Sequence, residues 1–574
     1  MVSSGSVKEH LSGLLQAFAN VVGLEPSLPS LPFGLDGSDG WMTTTTSAIT
    51  CAVLLAAVLM AWLVLPRRSR AAAAASHGLK PLSSLPTPPG ASLLMGHLPL
   101  LARGLQMHLR LTEWTQQLGG MYRLRLAHRK VLVVTDPHVA NPLLSAGPDA
   151  LPKSSLLYGA AKVGSSYSGS ADGIAAVTHF QDPYYREIRN TLVHAFAMEA
   201  QRKETFPNSS TAVQRMCDRW AKALSQGSSV AGGTGISVPM MDMEMQLMVL
   251  DSLLRSAFQI EMSEDELQKF VDTENEFCAE IMRRVMNPLR KYAYRWLPFL
   301  PWSKNRREVI HACIDMWQYV YDHIRARAPY SPDDRTLSAL LWRLKEEYGH
   351  SDDQMTANIG TMILAGHHTT ASQTGWIMYN VARNPAVQER VVEELRGAGL
   401  LTTEASPGRA VEWADLANLE YLNAVVNEGM RLNPVVGSSG TLRQADRDVD
   451  IAGIHVPKGT IVWIPVVGMH CANAVWGDGM KYRPERWLAD PADGGVSSDA
   501  KAAFLPFGRG PRNCIGMSMG MVSMKVYVIE MLRRFWFDLH PCMGSEADVR
   551  EREEMAFLLH VRGGMHLVPR LHVK

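Results

Sequence analysis

The chain has 574 residues, of which 46% are hydrophobic, and its formal net charge is +1. This balance gives no reason to expect nucleic-acid binding, and no basic tract suits it. The seven cysteines are scattered, odd in number and without a CxxC pair. They disfavour a disulfide framework or a zinc site and favour a reduced, cytosol-facing domain.

An apolar run near the N-terminus predicts a membrane anchor. Residues 1–45 form a serine- and glycine-rich extension, and the run Ala48–Leu65 that follows is interrupted only by Thr50. Its length is just sufficient to span a bilayer. The arginines within Pro66–Arg70 place this flank in the cytosol by the positive-inside rule. We therefore predict a transmembrane helix over 46–66; a buried core helix and a cleaved signal peptide are the alternatives.

A basic and proline-rich hinge is predicted over 67–90, because its prolines cannot continue a helix. The remaining residues, 91–574, are predicted to form one domain. Two strand-like runs around a polar turn lie within Gly119–Val134, and helical periodicity dominates from about 190 to 400. The expected fold class is mainly α with small β-sheets.

A long helix is predicted after a capping-box pattern in which Ser351 precedes Gln354 by three residues. The helix is expected to end at Asn384-Pro385. Its middle reads Ala365-Gly366-His367-His368-Thr369-Thr370. A glycine in mid-helix costs about 1 kcal/mol relative to alanine, so Gly366 requires a structural or functional reason.

The pattern around Cys514 is the most specific in the chain. Residues Phe507–Gly516 match F-x-x-G-x-R-x-C-x-G, and apolar residues at helical spacing follow. A thiolate is a strongly donating haem-iron ligand, and a helix N-terminus would stabilise its charge. Gly510 and Gly516 are expected to let the backbone approach the sulfur closely. The alternative is an inert cysteine in a glycine-rich turn.

With the segments named below, this loop resembles the signature of the cytochrome P450 family of haem-thiolate monooxygenases, over roughly 88–570. The resemblance implies the cytochrome P450 fold, preceded here by one N-terminal transmembrane helix. It also implies haem b as cofactor, with Cys514 as the axial iron ligand. Phe507 would pack against the macrocycle, and Arg512 would neutralise a propionate.

Three other segments match the family in chain order. Asp182–Arg189 resembles the W-x-x-x-R helix, with Tyr185 in place of tryptophan, and makes Arg189 a propionate partner, as is Arg443. Glu428-Gly-Met-Arg431 matches E-x-x-R, a spacing that is weak by itself. Arg486 belongs to a P-E-R-W sequence that resembles P-E-R-F. Glu428, Arg431 and Arg486 are expected to form a buried ion network that is structural and needed for haem retention.

The distal motif of the family is small-Gly-x-acid-Thr-Thr, which makes Gly366, His368 and Thr369 the expected catalytic positions. Thr369 stands in the place of the oxygen-activating threonine. His368 stands where the acid is usual, as in the sterol 14α-demethylase branch. A histidine titrates near neutrality and could relay protons itself. For both His367 and His368 the alternative is an ordinary position on the helix surface.

The expected function is insertion of one oxygen atom from O2 into an apolar small molecule, such as a lipid, sterol, terpenoid or fatty-acid-like compound. Electrons would come from NADPH through a reductase that docks on basic residues: Lys501, Arg509, Lys525 and the Arg186/Arg189 helix. The expected location is the endoplasmic reticulum membrane, single-pass with a cytosolic catalytic domain; a plastid membrane is the alternative. The alternative functions are hydroperoxide isomerase or dehydratase activity, or haem or lipid binding without oxygenase activity.

Two substrate hints conflict in the sequence. The spelling Gly-Pro-Arg-Asn-Cys-Ile-Gly within the loop resembles fatty-acid and xenobiotic hydroxylases, whereas His368 resembles sterol demethylases. The expectation therefore stops at an apolar small molecule.

Overall fold

Helices dominate the part of the chain that the structure describes. This computed structural model describes residues 78–147, 150–154, 172–226, 241–286, 301–403, 406–437, 441–556 and 558–572. All of them belong to one compact unit, Arg70–Lys574. Within these ranges the helices of seven or more residues, numbered α1 to α13 in chain order, are Met107–Leu118, Pro137–Ser145, Pro183–Leu192, Phe206–Ser225, Met241–Leu253, Glu264–Met286, Pro301–Ala326, Leu337–Tyr348, Asp352–Arg383, Pro385–Gly397, Glu420–Leu432, Met517–Arg534 and Glu546–Arg552.

Short strands form four small sheets among the described residues. Strands β1 to β11 are Lys80–Pro81, Met121–Leu126, Arg129–Val134, Leu442–Gln444, Val449–Ile451, Ile454–Val456, Ile461–Trp463, Phe535–Leu539, Glu553–Met555, Leu559–Val561 and Leu567–Leu571. The largest sheet has the order β2-β3-β7-β4, a second has the order β1-β6-β5, and β9-β10 and β8-β11 are pairs. The prediction of a mainly α fold with small sheets is confirmed.

The two predicted strand runs form the antiparallel pair β2–β3, in which Leu126 lies opposite Arg129. Alternate residues of β2 are buried, as expected for a strand with one face on the core. A second hairpin, β5–β6, turns at Ala452 and Gly453, whose φ angles of 51° and 79° suit the turn that a two-residue hairpin favours.

Helix α9 is the central element, with 32 residues from Asp352 to Arg383. The Ser351 hydroxyl accepts from the Gln354 amide, and the Gln354 side chain accepts from the Ser351 amide, so the predicted capping box is present. The helix ends at Asn384, immediately before Pro385. Helix α9 is buried along most of its length, so neighbouring elements enclose the site in its middle.

Two hydrophobic clusters meet at α9. One includes Trp376 of α9, Val425 of α11 and Tyr527 of α12. The other includes Ile359 of α9 and Trp317 of α7, together with residues of α6 and α8. The middle of α9, which carries the distal motif, therefore lies between α12, which follows Cys514, and the layer formed by α6 and α7.

The predicted N-terminal extension, 1–45, and the predicted anchor, 46–66, lie outside the described residues. Across the described ranges, no helix is both long enough and apolar enough to cross a membrane. The predicted hinge is described from residue 78 onward, and there Lys80 pairs with Ile454 of β6. This pairing joins the second half of the hinge to a sheet of the main domain.

Candidate active site

The loop Phe507–Gly516 holds Cys514 just before helix α12. The Cys514 amide donates a 2.9 Å hydrogen bond to the Phe507 carbonyl oxygen, which closes the loop. The side chain of Cys514 is exposed to solvent, although protein atoms surround the sulfur closely. This crowding raises the pKa of the thiol, while a backbone hydrogen bond at Gly516 and the charge of Arg189 lower it. The net effect is a raised pKa, with the Gly516 hydrogen bond and the charge of Arg189 partly offsetting the burial of an otherwise accessible sulfur.

Gly510 and Gly516 differ from the expectation that both make room for the sulfur. Gly510 has φ +75°, and a Cβ there would overlap the carbonyl oxygen of Leu144 in α2. The close approach at Gly510 is therefore to another backbone segment. At Gly516 an added Cβ would lie 3.7 Å from Phe196 and 3.9 Å from the Cys514 sulfur, both ordinary contacts.

Two of the predicted residues, Tyr185 and Arg189 of helix α3, form hydrogen bonds with the Cys514 loop. The Tyr185 hydroxyl donates to the Pro511 carbonyl at 3.2 Å, and Arg189 donates to the Asn513 carbonyl at 3.1 Å. The guanidinium of Arg512 lies 3.7 Å from the centre of the Tyr185 ring and donates to two carbonyls of the 177–178 segment. Tyr185 therefore acts as an aromatic platform for an arginine.

Four cations converge beside the loop, and the sequence indicated only three of them. The pKa of Lys153 is lowered well below its usual value by burial and then by the charges of Arg512, Arg443 and Arg189. The backbone of Lys153 also forms an isolated antiparallel β-bridge with Arg443 of β4. No motif marks Lys153, because it stands in an irregular segment and is brought to the site by pairing with a residue almost 300 positions away.

These residues fit a haem. The Cys514 sulfur is an accessible donor of the kind that ligates haem iron, and the cluster of Arg189, Arg443, Arg512 and Lys153 is a basic environment that suits anionic propionates. Phe507 lies at the crossing of the loop with α9: a Cβ on Gly520 of α12 would be 3.7 Å from Phe507 and 3.9 Å from the Thr370 hydroxyl. The thiol loop and the distal motif are thus neighbours.

The distal motif has one accessible face. Ala365 is exposed and Thr369 partly exposed, in the middle of an otherwise buried helix. The Thr369 hydroxyl donates to the Ala365 carbonyl at 2.6 Å, so its oxygen can accept a further hydrogen bond. A Cβ on Gly366 would lie 3.3 Å from the Leu253 side chain, so this glycine makes room for helix α5.

The two histidines are not surface residues: His367 is fully buried and His368 nearly so. Both contact Glu274 of α6, which is fully buried. Burial lowers the pKa of each histidine to about 3 and raises the pKa of Glu274 to about 7. The expectation that His368 titrates near neutrality is therefore wrong, and Glu274 is the group of this cluster that does. Sequence reasoning missed Glu274 because it lies about ninety residues before the motif.

An ion network joins Glu428, Arg431 and Arg486, all buried. Arg431 donates to both carboxylate oxygens of Glu428 at 2.8 and 2.9 Å, and Arg486 donates to one of them at 3.1 Å. The Trp487 indole donates to the other oxygen at 2.9 Å. His470 accepts from the Leu505 amide at 2.9 Å and contacts the Arg431 carbonyl at 3.2 Å. Through His470 the network extends to the segment that leads into the Cys514 loop.

Comparison with known proteins agrees with this arrangement. The sequence profile of the family "Cytochrome P450" matches residues 86–568 of this chain. Rat "Cytochrome P450 4F6" is 29% identical over 516 residues, which cover 85% of this chain and 87% of that protein. Mouse "Leukotriene-B4 omega-hydroxylase 3" is 28% identical over 517 residues, covering 86% and 91%. Dog "Cytochrome P450 3A12" is 34% identical over 201 residues, covering 35% and 37%. The chain belongs to the cytochrome P450 family and is a haem-thiolate monooxygenase, with a cysteine-ligated haem b served by an NADPH-dependent reductase.

Proposed function

We propose that this monooxygenase hydroxylates a lipid, with haem held by Cys514. The observation that carries the proposal is that Phe507 of the Cys514 loop and Thr370 of the distal motif both lie beside Gly520 of α12, so that the loop and the motif are neighbours. A relative named as a leukotriene-B4 hydroxylase aligns over nearly the whole chain and favours a lipid with a long hydrocarbon chain. Of the two conflicting substrate hints in the sequence, this supports fatty-acid-like molecules over sterols.

The proximal residues hold and orient the cofactor. Cys514 would ligate the haem iron, and Arg189, Arg443, Arg512 and Lys153 would hold the propionates. Phe507 would pack against the haem, while Gly510 and Gly516 shape the loop and Tyr185 supports Arg512. When bound, a thiolate-ligated haem supplies the electron density that favours O–O bond cleavage.

The distal residues deliver protons and leave room for substrate. Thr369 accepts and passes a proton at its hydroxyl oxygen, and His368 stands next to it on the buried side. Gly366 allows α5 to pack closely, which fixes the distal face of α9. The buried Glu428, Arg431 and Arg486 network keeps the proximal side rigid and so retains the cofactor.

The setting we propose is the endoplasmic reticulum membrane, with NADPH-cytochrome P450 reductase as electron donor. Lys501, Arg509 and Arg186 are exposed and suit an acidic partner, whereas Lys525 donates to the Leu416 carbonyl and is only partly exposed. The positive charge of the first three residues would raise the rate of encounter and make it salt-dependent.

The test is turnover of the full chain with the reductase, NADPH and 18O2. We expect one labelled oxygen atom in a product from a fatty-acid or eicosanoid panel, and little turnover of sterols. Turnover of fatty-acid hydroperoxides without NADPH or O2 would instead establish the isomerase alternative. Bound haem without turnover of either kind would leave the binding alternative.

Thr369→Ala is the matched variant for this assay. We expect it to lower product formed per NADPH, because the hydroxyl is lost from the accessible face. Thr361→Ala is the control: the Thr361 hydroxyl donates to the carbonyl four residues earlier in the same helix, as Thr369 does, but stands about two turns before Thr369. Equal product yields from the two variants would contradict the role of Thr369.

A further inference from the structure

A carboxyl group from a different helix lies against the distal motif. Oε2 of Glu274 in α6 is 2.9 Å from Nδ1 of His367 and 3.6 Å from Nε2 of His368. The shorter distance is a hydrogen bond, so a proton lies between Glu274 and His367. Imidazole nitrogens and carboxylate oxygens can also bind a metal ion. Here Nδ1 of His367 and Oε2 of Glu274 form a hydrogen bond with each other instead.

The surroundings of Glu274 favour the protonated carboxyl over the charged one. Its own helix contributes Cys278, whose sulfur lies 3.9 Å from Nε2 of His368, and α7 contributes Trp317 and Cys313. Burial raises the pKa of both thiols, so neither carries charge near neutrality. Burial raises the pKa of Glu274 to about 7, whereas His368 and the Trp317 indole lower it.

The cluster is not a saturated structural ion pair. Oε1 of Glu274, Nε2 of His367 and Nε1 of Trp317 make no well-formed hydrogen bond among the described residues, although the Trp317 indole lies near enough to Glu274, and the Gln246 backbone near enough to His367, to influence their pKa values. Buried polar atoms are nearly always paired, and exceptions often mark groups that exchange protons or bind water during function. Three such atoms around one carboxyl single out this cluster.

Only one member of the cluster reaches an accessible surface. Glu274 and His367 are 0% exposed, whereas His368 is 6% exposed and is followed by the partly exposed Thr369. His368 is therefore the histidine of the cluster that links Glu274 to the accessible face of α9.

We propose that Glu274 supplies the acid that the distal motif lacks, and that it acts through His368 to protonate the Thr369 side of the site. The acid that the family pattern places in α9 is thus provided in space by α6. This inference rests on the proposed oxygenase function and identifies its proton source.

The step transfers one proton and no electrons. Nε2 of His368 lies 3.6 Å from Oε2 of Glu274, so the two side chains first close to hydrogen-bond distance. The O–H bond of the Glu274 carboxyl then breaks, and the proton adds to Nε2 of His368. The imidazolium then loses its other ring proton, from Nδ1, to the chain of acceptors at Thr369. Before the next turnover one proton from solvent restores the Glu274 carboxyl, and the His368 ring returns to the tautomer with its proton on Nδ1 by losing the proton on Nε2 to solvent and gaining one at Nδ1. His368 carries the proton only in transit, which its low pKa of about 3 permits.

The first test observes the carboxyl directly. In the holoenzyme, infrared difference spectroscopy should show the C=O stretch of a protonated carboxyl that disappears with a midpoint near pH 7. Glu274→Gln should remove this band. Glu280→Gln is the matched control, because Glu280 is also buried on α6 but lies 3.7 Å from Arg283, and it should leave the band in place. A band that survives Glu274→Gln would overturn the proposal.

The second test measures coupling in the reconstituted enzyme. Glu274→Gln should retain haem and consume NADPH, but product formed per NADPH should fall by about tenfold or more, with the electrons appearing as hydrogen peroxide. In the wild type this ratio should fall as pH rises through 7, because the carboxyl loses its proton. The variant should lose that pH dependence.

A rescue experiment separates proton delivery from a structural role. His368→Asp combined with Glu274→Gln returns an acid to the family position in α9, so the double variant should recover product per NADPH. Should Glu274→Gln fail to fold, Glu274→Asp serves instead, with a displaced carboxyl band and a shifted midpoint. Full coupling in Glu274→Gln would overturn the proposal. Wild-type enzyme that forms no oxygenated product would instead refute the proposed function, while the infrared titration would stand independently.

Discussion

At Gly510 both the backbone conformation and the neighbouring chain exclude a side chain. Its φ of +75° disfavours any side chain, and a Cβ would overlap the Leu144 carbonyl oxygen. Gly510→Ala should therefore displace the Cys514 loop and abolish haem binding. Gly349→Ala is the control: Gly349 also has positive φ (+68°) but open space around it, so only the backbone penalty of about 1–2 kcal/mol applies. Haem content and thermal stability measure both effects, and equal haem loss would contradict the role of Gly510.

His470 should make the fold sensitive to acid. Burial and the charge of Arg431 lower its pKa to about 3, and its Nε2 must stay unprotonated to accept from Leu505. Below about pH 6.5 the His470 side chain binds a proton in the unfolded chain but not in the folded chain. The free energy of unfolding therefore decreases as pH falls through that value. His470→Gln should reduce the loss between pH 6.5 and 5.5 by about 1 kcal/mol in urea titrations.

The exposed His138 provides the control for the substitution itself, since His138→Gln removes no buried imidazole. An unchanged pH dependence in His470→Gln would contradict the account of His470.

At this scale the sequence predicted residues that belong to a contiguous pattern and missed those that do not. Cys514 and Arg512 stand in one loop, and Glu428 and Arg431 in one helix turn. Lys153 and Glu274 reach the site only through tertiary packing, which no local spacing records. His368 was expected to titrate near neutrality, as a solvated histidine does, but its burial lowers its pKa.

The pairing of helix α11 with the segments that follow it should dominate the stability of the proximal side. Arg431→Met removes the arginine that donates to both oxygens of Glu428 and leaves that carboxylate buried. The substitution should lower the free energy of unfolding by about 3–5 kcal/mol and cause loss of haem. Arg110→Met in α1 removes an arginine from a pair with the same three-residue spacing, but both partners are substantially exposed. It should cost under about 1 kcal/mol. Chemical denaturation of both variants tests this, and similar costs would contradict a structural role for the network.

Elements were predictable where their ends carry chemical signals. Helix α9 begins at the Ser351 capping box and ends before Pro385 as predicted, and β2–β3 forms around its polar turn. The lateral packing was not predictable, because nothing in the sequence of α9 indicates that α6 covers His367 and His368. Gly366 illustrates the same limit: the glycine was recognised, but its neighbour Leu253 was not.

For the whole molecule, the N-terminal apolar run should determine membrane attachment. The full chain is expected to remain in the membrane fraction after alkaline carbonate washing. Deletion of 46–66 should release the protein, because about twenty apolar residues are what a bilayer-spanning helix requires. A deletion of the same length within 1–45 should not release it. Retention of the chain without 46–66 would contradict the predicted anchor.

The most direct test of the account is the carbon-monoxide difference spectrum of the reduced protein. It compares the wild type with Cys514→Ala and with Cys542→Ala, which removes another exposed cysteine. We predict the red-shifted Soret band of thiolate-ligated haem in the wild type and in Cys542→Ala, and its absence in Cys514→Ala. The same band in Cys514→Ala would contradict the assignment of Cys514 as the iron ligand and the site built around it.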